Sequence, residues 1–220
     1  MRQPNLFAVG DIHGNIRALD DLLARLQSEL SAGDVLVFLG DYIDRGPDAA
    51  GVVRFILGLQ ADLPGRVVTL MGNHEAMAFG VFDGAIPVSA WLSNGGAATL
   101  KSYGVKDVRE LPRAHLDWMR ALPLTHDDGR RFFVHAGVDP GKALKAQDAA
   151  ALLWIREPFL QEERDYGRLI VHGHTPVATN QPELRANRLN LDTAAVFGGP
   201  LTAAVFDDAQ RQPVAFVQAG

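Results

Sequence analysis

Four stretches of the sequence set carboxylate, imidazole and amide side chains beside glycine: GDIHG at 10–14, GDYIDRG at 40–46, GNHE at 72–75 and GHTP at 173–176. They supply Asp11, His13, Asp41, Asn73 and His174, and a fifth stretch, HAG at 135–137, adds His135. Oxygen and nitrogen donors of this kind suit Mn²⁺, Fe or Zn²⁺, and the chain has no cysteine to offer a thiolate. These six candidate ligands exceed the three that a catalytic zinc usually keeps. They match a pair of ions about 3.5–4 Å apart that share a carboxylate and a hydroxide. The surplus predicts two divalent ions rather than one.

Donors spread from residue 11 to residue 174 need a scaffold that gathers them. The apolar runs Leu6–Val9, Val35–Leu39 and Val67–Met71 read as strands, and each ends directly at a polar cluster. Arg131–His135 and Arg168–His172 read the same way. In an α/β sheet, ligands bind beyond the carboxyl ends of the strands, so these are the points where distant residues converge. Gly10, Gly40 and Gly72 stand where the backbone must turn sharply and approach the ions. Between the strands, Ile16, Leu19, Leu23, Leu26 and Leu30 recur at spacings of three and four and predict a buried helix face. A second helix opens at Pro47 and Asp48 and carries Val52, Val53, Ile56 and Leu57; a third runs from about His74 to Phe79.

After these elements the alternation stops. Residues 80–112, richer in Gly, Pro, Ser and Asn, read as a partly helical insertion with a small core around Trp91 and Tyr103. Its role is either structural or the selection of substrate. A short helix at His115–Ala121 follows, then strands at Leu189–Leu191, Leu201–Phe206 and Pro213–Val217, with DDAQRQ as a hairpin loop. The chain, 1–220, reads as one domain.

Composition narrows the classes of function. A 220-residue chain buries enough surface to need no disulfide staples. A net charge of −5 leaves no broad basic surface for a nucleic-acid backbone, so long DNA or RNA is not an expected partner. No run nears the roughly 18 apolar residues of a membrane span, and MRQPNLFAVG has no basic and then apolar leader pattern. The expected compartment is the cytoplasm. Without cysteine, phosphatase chemistry through a thiolate nucleophile is excluded.

Together with WIRE at 154–157 and HGHTP at 172–176, the motifs stand in one order over residues 6–206 that resembles the phosphoprotein phosphatases of the PPP family. That family is a branch of the calcineurin-like metallophosphoesterases, and the small bacterial members are the most similar. The resemblance implies a four-layer αββα sandwich, in which two mixed β-sheets are flanked by helices and a dinuclear metal site lies at the carboxyl strand ends. It assigns Asp11, His13 and Asp41 to one ion and Asp41, Asn73, His135 and His174 to the other, with Mn²⁺ favoured and Fe or Zn²⁺ as alternatives. Arg45 and Arg156 match the phosphate-binding arginines, with Asn73 and His74 beside them at the phosphate. His74 matches the general acid, and Asp44 the carboxylate that orients it. Glu75 is no ligand in this pattern. His172 reads as an ordinary strand histidine, and His115 and His126 lie outside every motif.

The chemistry implied is hydrolysis of phosphate monoesters by direct attack of a hydroxide that bridges the ions. Two guanidinium groups can each make paired hydrogen bonds to phosphate, which lysine cannot. The basic alkoxide of serine or threonine calls for an acid such as imidazolium, and Asp44 is expected to favour that charged form. The expected substrate is therefore phosphoserine or phosphothreonine in a protein or peptide. The alternatives are a broad small-molecule phosphatase and a symmetrical dinucleoside-tetraphosphate hydrolase. The latter group usually lacks the Asp of DRG and has GNHD in place of GNHE.

Overall fold

The computed structural model describes residues 5–27, 30–31, 33–63 and 65–220. Among these residues the strands form two five-stranded sheets. The first sheet has the order β10 (Ala215–Ala219), β9 (Leu201–Phe206), β1 (Leu6–Val9), β2 (Val35–Phe38), β3 (Val67–Thr69). The second has the order β4 (Thr125–Asp127), β5 (Arg131–Val134), β6 (Leu169–His172), β8 (Arg188–Asn190), β7 (Glu183–Leu184). Both are mixed. β1, β2 and β3 run parallel in one sheet and β5, β6 and β8 in the other, with antiparallel strands completing each. Two sets of parallel strand ends therefore supply the two halves of one site.

Strand alternation builds the layers. In β1, Leu6 and Ala8 face the second sheet, where they join Val37, Leu39, Phe133, Val171, Leu189 and Phe206 in the core between the sheets. Phe7 and Val9 point the other way, into a core shared with the helices α1 (Ile16–Leu26), α2 (Ala49–Asp62) and α3 (Asn73–Phe82). On the outer face of the second sheet, Phe132, Val134 and Ile170 pack with Leu152 of α7 (Ala149–Trp154) and with Phe159. The four-layer αββα order follows from this period of two, since the central strands β1, β2, β5 and β6 have apolar partners on both faces.

Capping places the helix starts beside the site. The Asn15 side chain accepts from the Ala18 N–H at 3.2 Å, and the Asp48 carboxylate accepts from the Gly51 N–H at 2.8 Å. α2 accordingly begins at Ala49, with Asp48 as its cap. Helix α3 begins at Asn73 and runs to Phe82, longer at both ends than the sequence pattern predicts. Residues after it form α4 (Val88–Trp91), a wide turn at Leu92–Gly96, α5 (Ala97–Tyr103) and α6 (Arg113–Arg120). The short strands β4 and β7 carry too few residues for a period-two pattern to reveal them. No helix among the described residues is long and apolar enough to cross a membrane.

Phe133 and Phe206 are fully buried and meet edge to face, with centroids 6.2 Å apart between the sheets. Phe133→Ala is expected to cost about 3–5 kcal/mol of unfolding free energy, measured by denaturant titration. A change below about 1 kcal/mol would show that the sheets do not depend on this contact.

Candidate active site

The ligand candidates sit just beyond the parallel strands: Asp11 after β1, Asp41 after β2, Asn73 after β3, His135 after β5 and His174 after β6. The backbone there is unusual. His13, Asp41, Asp44, Arg45 and His174 have φ of 47°, 54°, 70°, 66° and 66°, in the left-handed region that side chains with a Cβ rarely adopt. The sharp turns are thus made largely by the functional residues themselves. Of the three preceding glycines, Gly40 turns with φ 107°, whereas Gly72 has an ordinary extended φ of −94°. Gly72 is needed for space, because a Cβ there would stand 2.1 Å from Asp41 Oδ1.

One carboxylate holds this arrangement in place. Glu75, fully buried, accepts the backbone N–H of Asp41 and Gly72 at 3.0 Å through Oε2, and those of Tyr42 at 2.9 Å and Ile43 at 3.2 Å through Oε1. The GDYI turn and the start of α3 are therefore locked to each other. Burial pushes the Glu75 carboxyl up to about 7, against the lowering effect of these bonds.

Asp41 lies at the centre. Its Oδ2 is 3.3 Å from His13 Nε2 and 3.9 Å from His74 Nε2, and its Oδ1 is 3.5 Å from His135 Nε2. His13 Nδ1 donates to Ile43 O at 2.9 Å and His135 Nδ1 to Leu39 O at 3.0 Å, which leaves both Nε2 lone pairs facing inward. Asn73 Oδ1 lies 2.8 Å from His135 Nε2 and 2.9 Å from His174 Nδ1. Two groups of donor atoms, each within 4.8 Å, result: His13, Asp41 and His74, and Asp41, His135 and His174. Asp41 belongs to both. Asp11 is outside these groups and accepts the His174 N–H at 3.0 Å through Oδ2, though its charge raises the Asp41 carboxyl.

The donor set fits divalent cations. Burial, then mutual carboxylate repulsion, raises Asp11 and Asp41 well above the usual carboxylate range, and burial holds His13 and His135 well below the usual histidine range. Buried acids without compensating positive charge and neutral imidazoles with inward lone pairs are what a cation site requires.

Behind this centre, His74 Nδ1 and Asp44 Oδ2 are 2.7 Å apart. Asp44 also accepts Trp91 Nε1–H at 2.8 Å and Thr99 Oγ1–H at 2.6 Å, while its own N–H donates to Thr99 Oγ1 at 2.8 Å. The helical segment after α3 thus reaches into the site with two side chains. Burial pushes Asp44 up to about 7, and burial, ahead of the Arg45 charge, brings His74 down to about 3. The sequence-based expectation that Asp44 favours imidazolium meets a larger opposing effect, desolvation, and the neutral imidazole is the favoured form of the metal-free pocket.

Arg45 is exposed, with Nη1 2.6 Å from His13 Nε2, and its N–H donates to Gly95 O at 3.2 Å. Arg156 is exposed too; burial and then its charge bring His174 down to about 4, and the same charge opposes in part the rise of Asp192. Asp192, not singled out from the sequence, is buried after β8, repels Asp11 and is raised to about 6 by burial. Its signal was present in NLD, an apolar strand end followed by a carboxylate. His172 is buried beside Phe159 and donates from Nδ1 to Gly173 O at 3.1 Å. His115 pairs with the Tyr103 hydroxyl at 2.8 Å, and His126 packs against Phe133.

Several known proteins share this framework. The chain spans about half the length of the symmetrical bis(5'-nucleosyl)-tetraphosphatases that it matches, such as that of Nitrosospira multiformis, with 30% identity over 67% of this chain and 49% of the relative. It is 27% identical to the asymmetrical bis(5'-nucleosyl)-tetraphosphatase PrpE of Anoxybacillus flavithermus, covering 89% of this chain and 87% of the relative. It is 29% identical to serine/threonine-protein phosphatase 1 of Salmonella typhimurium over 91% of each chain. A metallophosphoesterase structure from Sphaerobacter thermophilus superposes with a TM-score of 0.61 at 19% identity, covering 100% of this chain and 89% of that one. The calcineurin-like phosphoesterase family model matches residues 4–199. With that match and with Asp41 shared by two donor groups at the paired sheet ends, the chain belongs to the calcineurin-like phosphoesterases.

Proposed function

We propose that this chain hydrolyses dinucleoside tetraphosphates with two divalent ions bound at Asp41. The reading rests on the tetraphosphatase names carried by relatives that match much of its length. It replaces the phosphoprotein preference drawn from the motifs, because tetraphosphatase names are carried by relatives covering 67% and 89% of this chain, beside one protein-phosphatase name. Asp11, His13 and Asp41 would hold one ion and Asp41, Asn73, His135 and His174 the other. When bound, such ions neutralise phosphate oxygens and lower the pKa of an attacking water. Mn²⁺ is the first ion to try.

The chain's own residues do the rest. Arg45 and Arg156, exposed at the edge of the centre, bind phosphate oxygens through paired N–H donors. Asn73 and His74 face the same phosphate. When bound phosphate restores the imidazolium form that burial alone disfavours, His74 can deliver a proton to the departing oxygen, and Asp44, 2.7 Å behind it, fixes the ring. Trp91 and Thr99 in turn fix Asp44.

One observation favours a second reading, phosphoserine or phosphothreonine as substrate. The His74–Asp44 pair has the geometry of an oriented general acid, and a departing alkoxide needs protonation far more than a departing nucleotide phosphate does.

Side-by-side assay of diadenosine tetraphosphate, a phosphoserine peptide and glycerol phosphate is expected to give the highest kcat/KM on the dinucleotide. A higher value on the peptide would replace the first reading with the second. Chelation should abolish turnover and lower Tm, with Mn²⁺ restoring both; full activity in metal-free protein would refute the two-ion centre. His74→Asn should slow an alkyl phosphate at least tenfold more than p-nitrophenyl phosphate, whose leaving group needs little protonation. Trp91→Phe, which removes one donor to Asp44, should show the same selectivity at about tenfold, and equal losses on the two esters would assign Trp91 to packing alone.

A further inference from the structure

Two large aromatic side chains stand in the open beside the centre: Phe197 is 65% exposed and Trp154 44%. Each touches a polar residue of the site. The Arg45 guanidinium carbon lies 5.6 Å from the centroid of the Phe197 ring. The Trp154 and His174 rings are 6.1 Å apart at 84°. Between these contacts the site is continuous. Arg45 meets His13 at 2.6 Å, His13 meets Asp41 at 3.3 Å, Asp41 meets His135 at 3.5 Å, and the His135 and His174 rings are 5.1 Å apart. The two aromatics therefore terminate one chain of contacts that runs through the whole centre.

Packing accounts for neither of them. Phe197 ends a single turn, Ala195–Phe197, entered through Ala194 in the left-handed region at φ 63°. Its neighbour Ala195 is the buried member of that turn. Trp154 ends α7, whose burial is carried by Leu152 and Leu153. Leaving the exposed parts of these rings in water forgoes about 1–2 kcal/mol each, so a ligand that covers them regains stabilisation the fold itself does not take. The ligand must also carry phosphate, because Phe197 touches one phosphate-binding arginine and Trp154 is two residues from the other. Flat groups joined to phosphate are found in nucleotides, whose bases stack on aromatic faces without regard to sequence. A phosphoserine side chain has no such group.

We propose that Phe197 and Trp154 are two base platforms, one at each end of the phosphate-binding centre, which select nucleoside polyphosphates over esters without a base. The proposal rests on the dinucleotide reading above and explains why two platforms flank one centre: a dinucleoside tetraphosphate carries a base at each end of its phosphate chain.

The test compares diadenosine tetraphosphate with glycerol phosphate on the metal-loaded enzyme. Phe197→Ala and Trp154→Ala should each lower the ratio of kcat/KM between the two substrates about tenfold, through KM for the dinucleotide, whereas Phe197→Tyr and Trp154→Phe should keep it. An unchanged ratio in both alanine variants, or equal losses on the two substrates, overturns the proposal. Binding is read separately from turnover. Adenosine 5'-monophosphate should quench tryptophan fluorescence of the wild type but not of Trp154→Phe, and inorganic phosphate should quench neither. Quenching that persists in Trp154→Phe removes that platform. Hydrolysis of the dinucleotide with an unmoved KM in both alanine variants defeats the platforms and leaves the dinucleotide reading standing. Nucleotide binding at Trp154 without hydrolysis defeats the reading and leaves the platform.

Discussion

The Glu75 carboxylate is the constraint on which the rest of the site depends. Its two oxygens accept four backbone N–H groups, three from the turn at Asp41–Ile43 and one from Gly72. Buried amides left without a partner would each cost about 1–3 kcal/mol, so this acid stabilises a turn that has no sheet ladder of its own. The same turn leads into Asp44 and Arg45, both in the left-handed region. One buried carboxylate thus sets the direction of the central Asp41, of Asp44 behind His74 and of Arg45.

The electrostatics of the centre suit positive ions. Burial raises Asp11, Asp41 and Asp192, with added repulsion of Asp11 by Asp192 and of Asp41 by Asp11, and burial holds His13, His135 and His174 toward the neutral form around them. Carboxylates so placed stay ionised only if positive charge joins them. Arg45 supplies some, and its guanidinium already rests against His13 Nε2, a lone pair that a cation would claim.

The helical segment after α3 serves the chemistry as well as the outer surface. Trp91 and Thr99 both terminate on Asp44, and Gly95 receives the Arg45 N–H. At Gly95 a Cβ would press within 2.7 Å of the Arg45 backbone, and at Gly96 within 2.4 Å of the Trp91 ring. The small residues in LSNGG are there so that the segment can close on the site. The His74–Asp44 pair and the exposed aromatics beside it are separable features of the site.

The sequence by itself determined most of the strands, the order of the motifs and the positions of the candidate ligands, since apolar runs that end at Asp, His and Asn are local patterns read residue by residue. It also determined the αββα class through family resemblance. Only the tertiary structure decided which donors meet. Asp41 falls into both groups, Asp11 turns to the His174 amide, and Asp192 joins from a strand more than a hundred residues away. Glu75 read only as a structural acid that is no ligand, without its partners, because backbone amides are invisible in a sequence. The protonation of His74 ran against the expectation from its neighbour, because desolvation depends on everything packed around the ring and a motif names only one contact. The exposure of Phe197 and Trp154 was equally out of reach, for an aromatic residue reads as core until the packed layers show that nothing covers it.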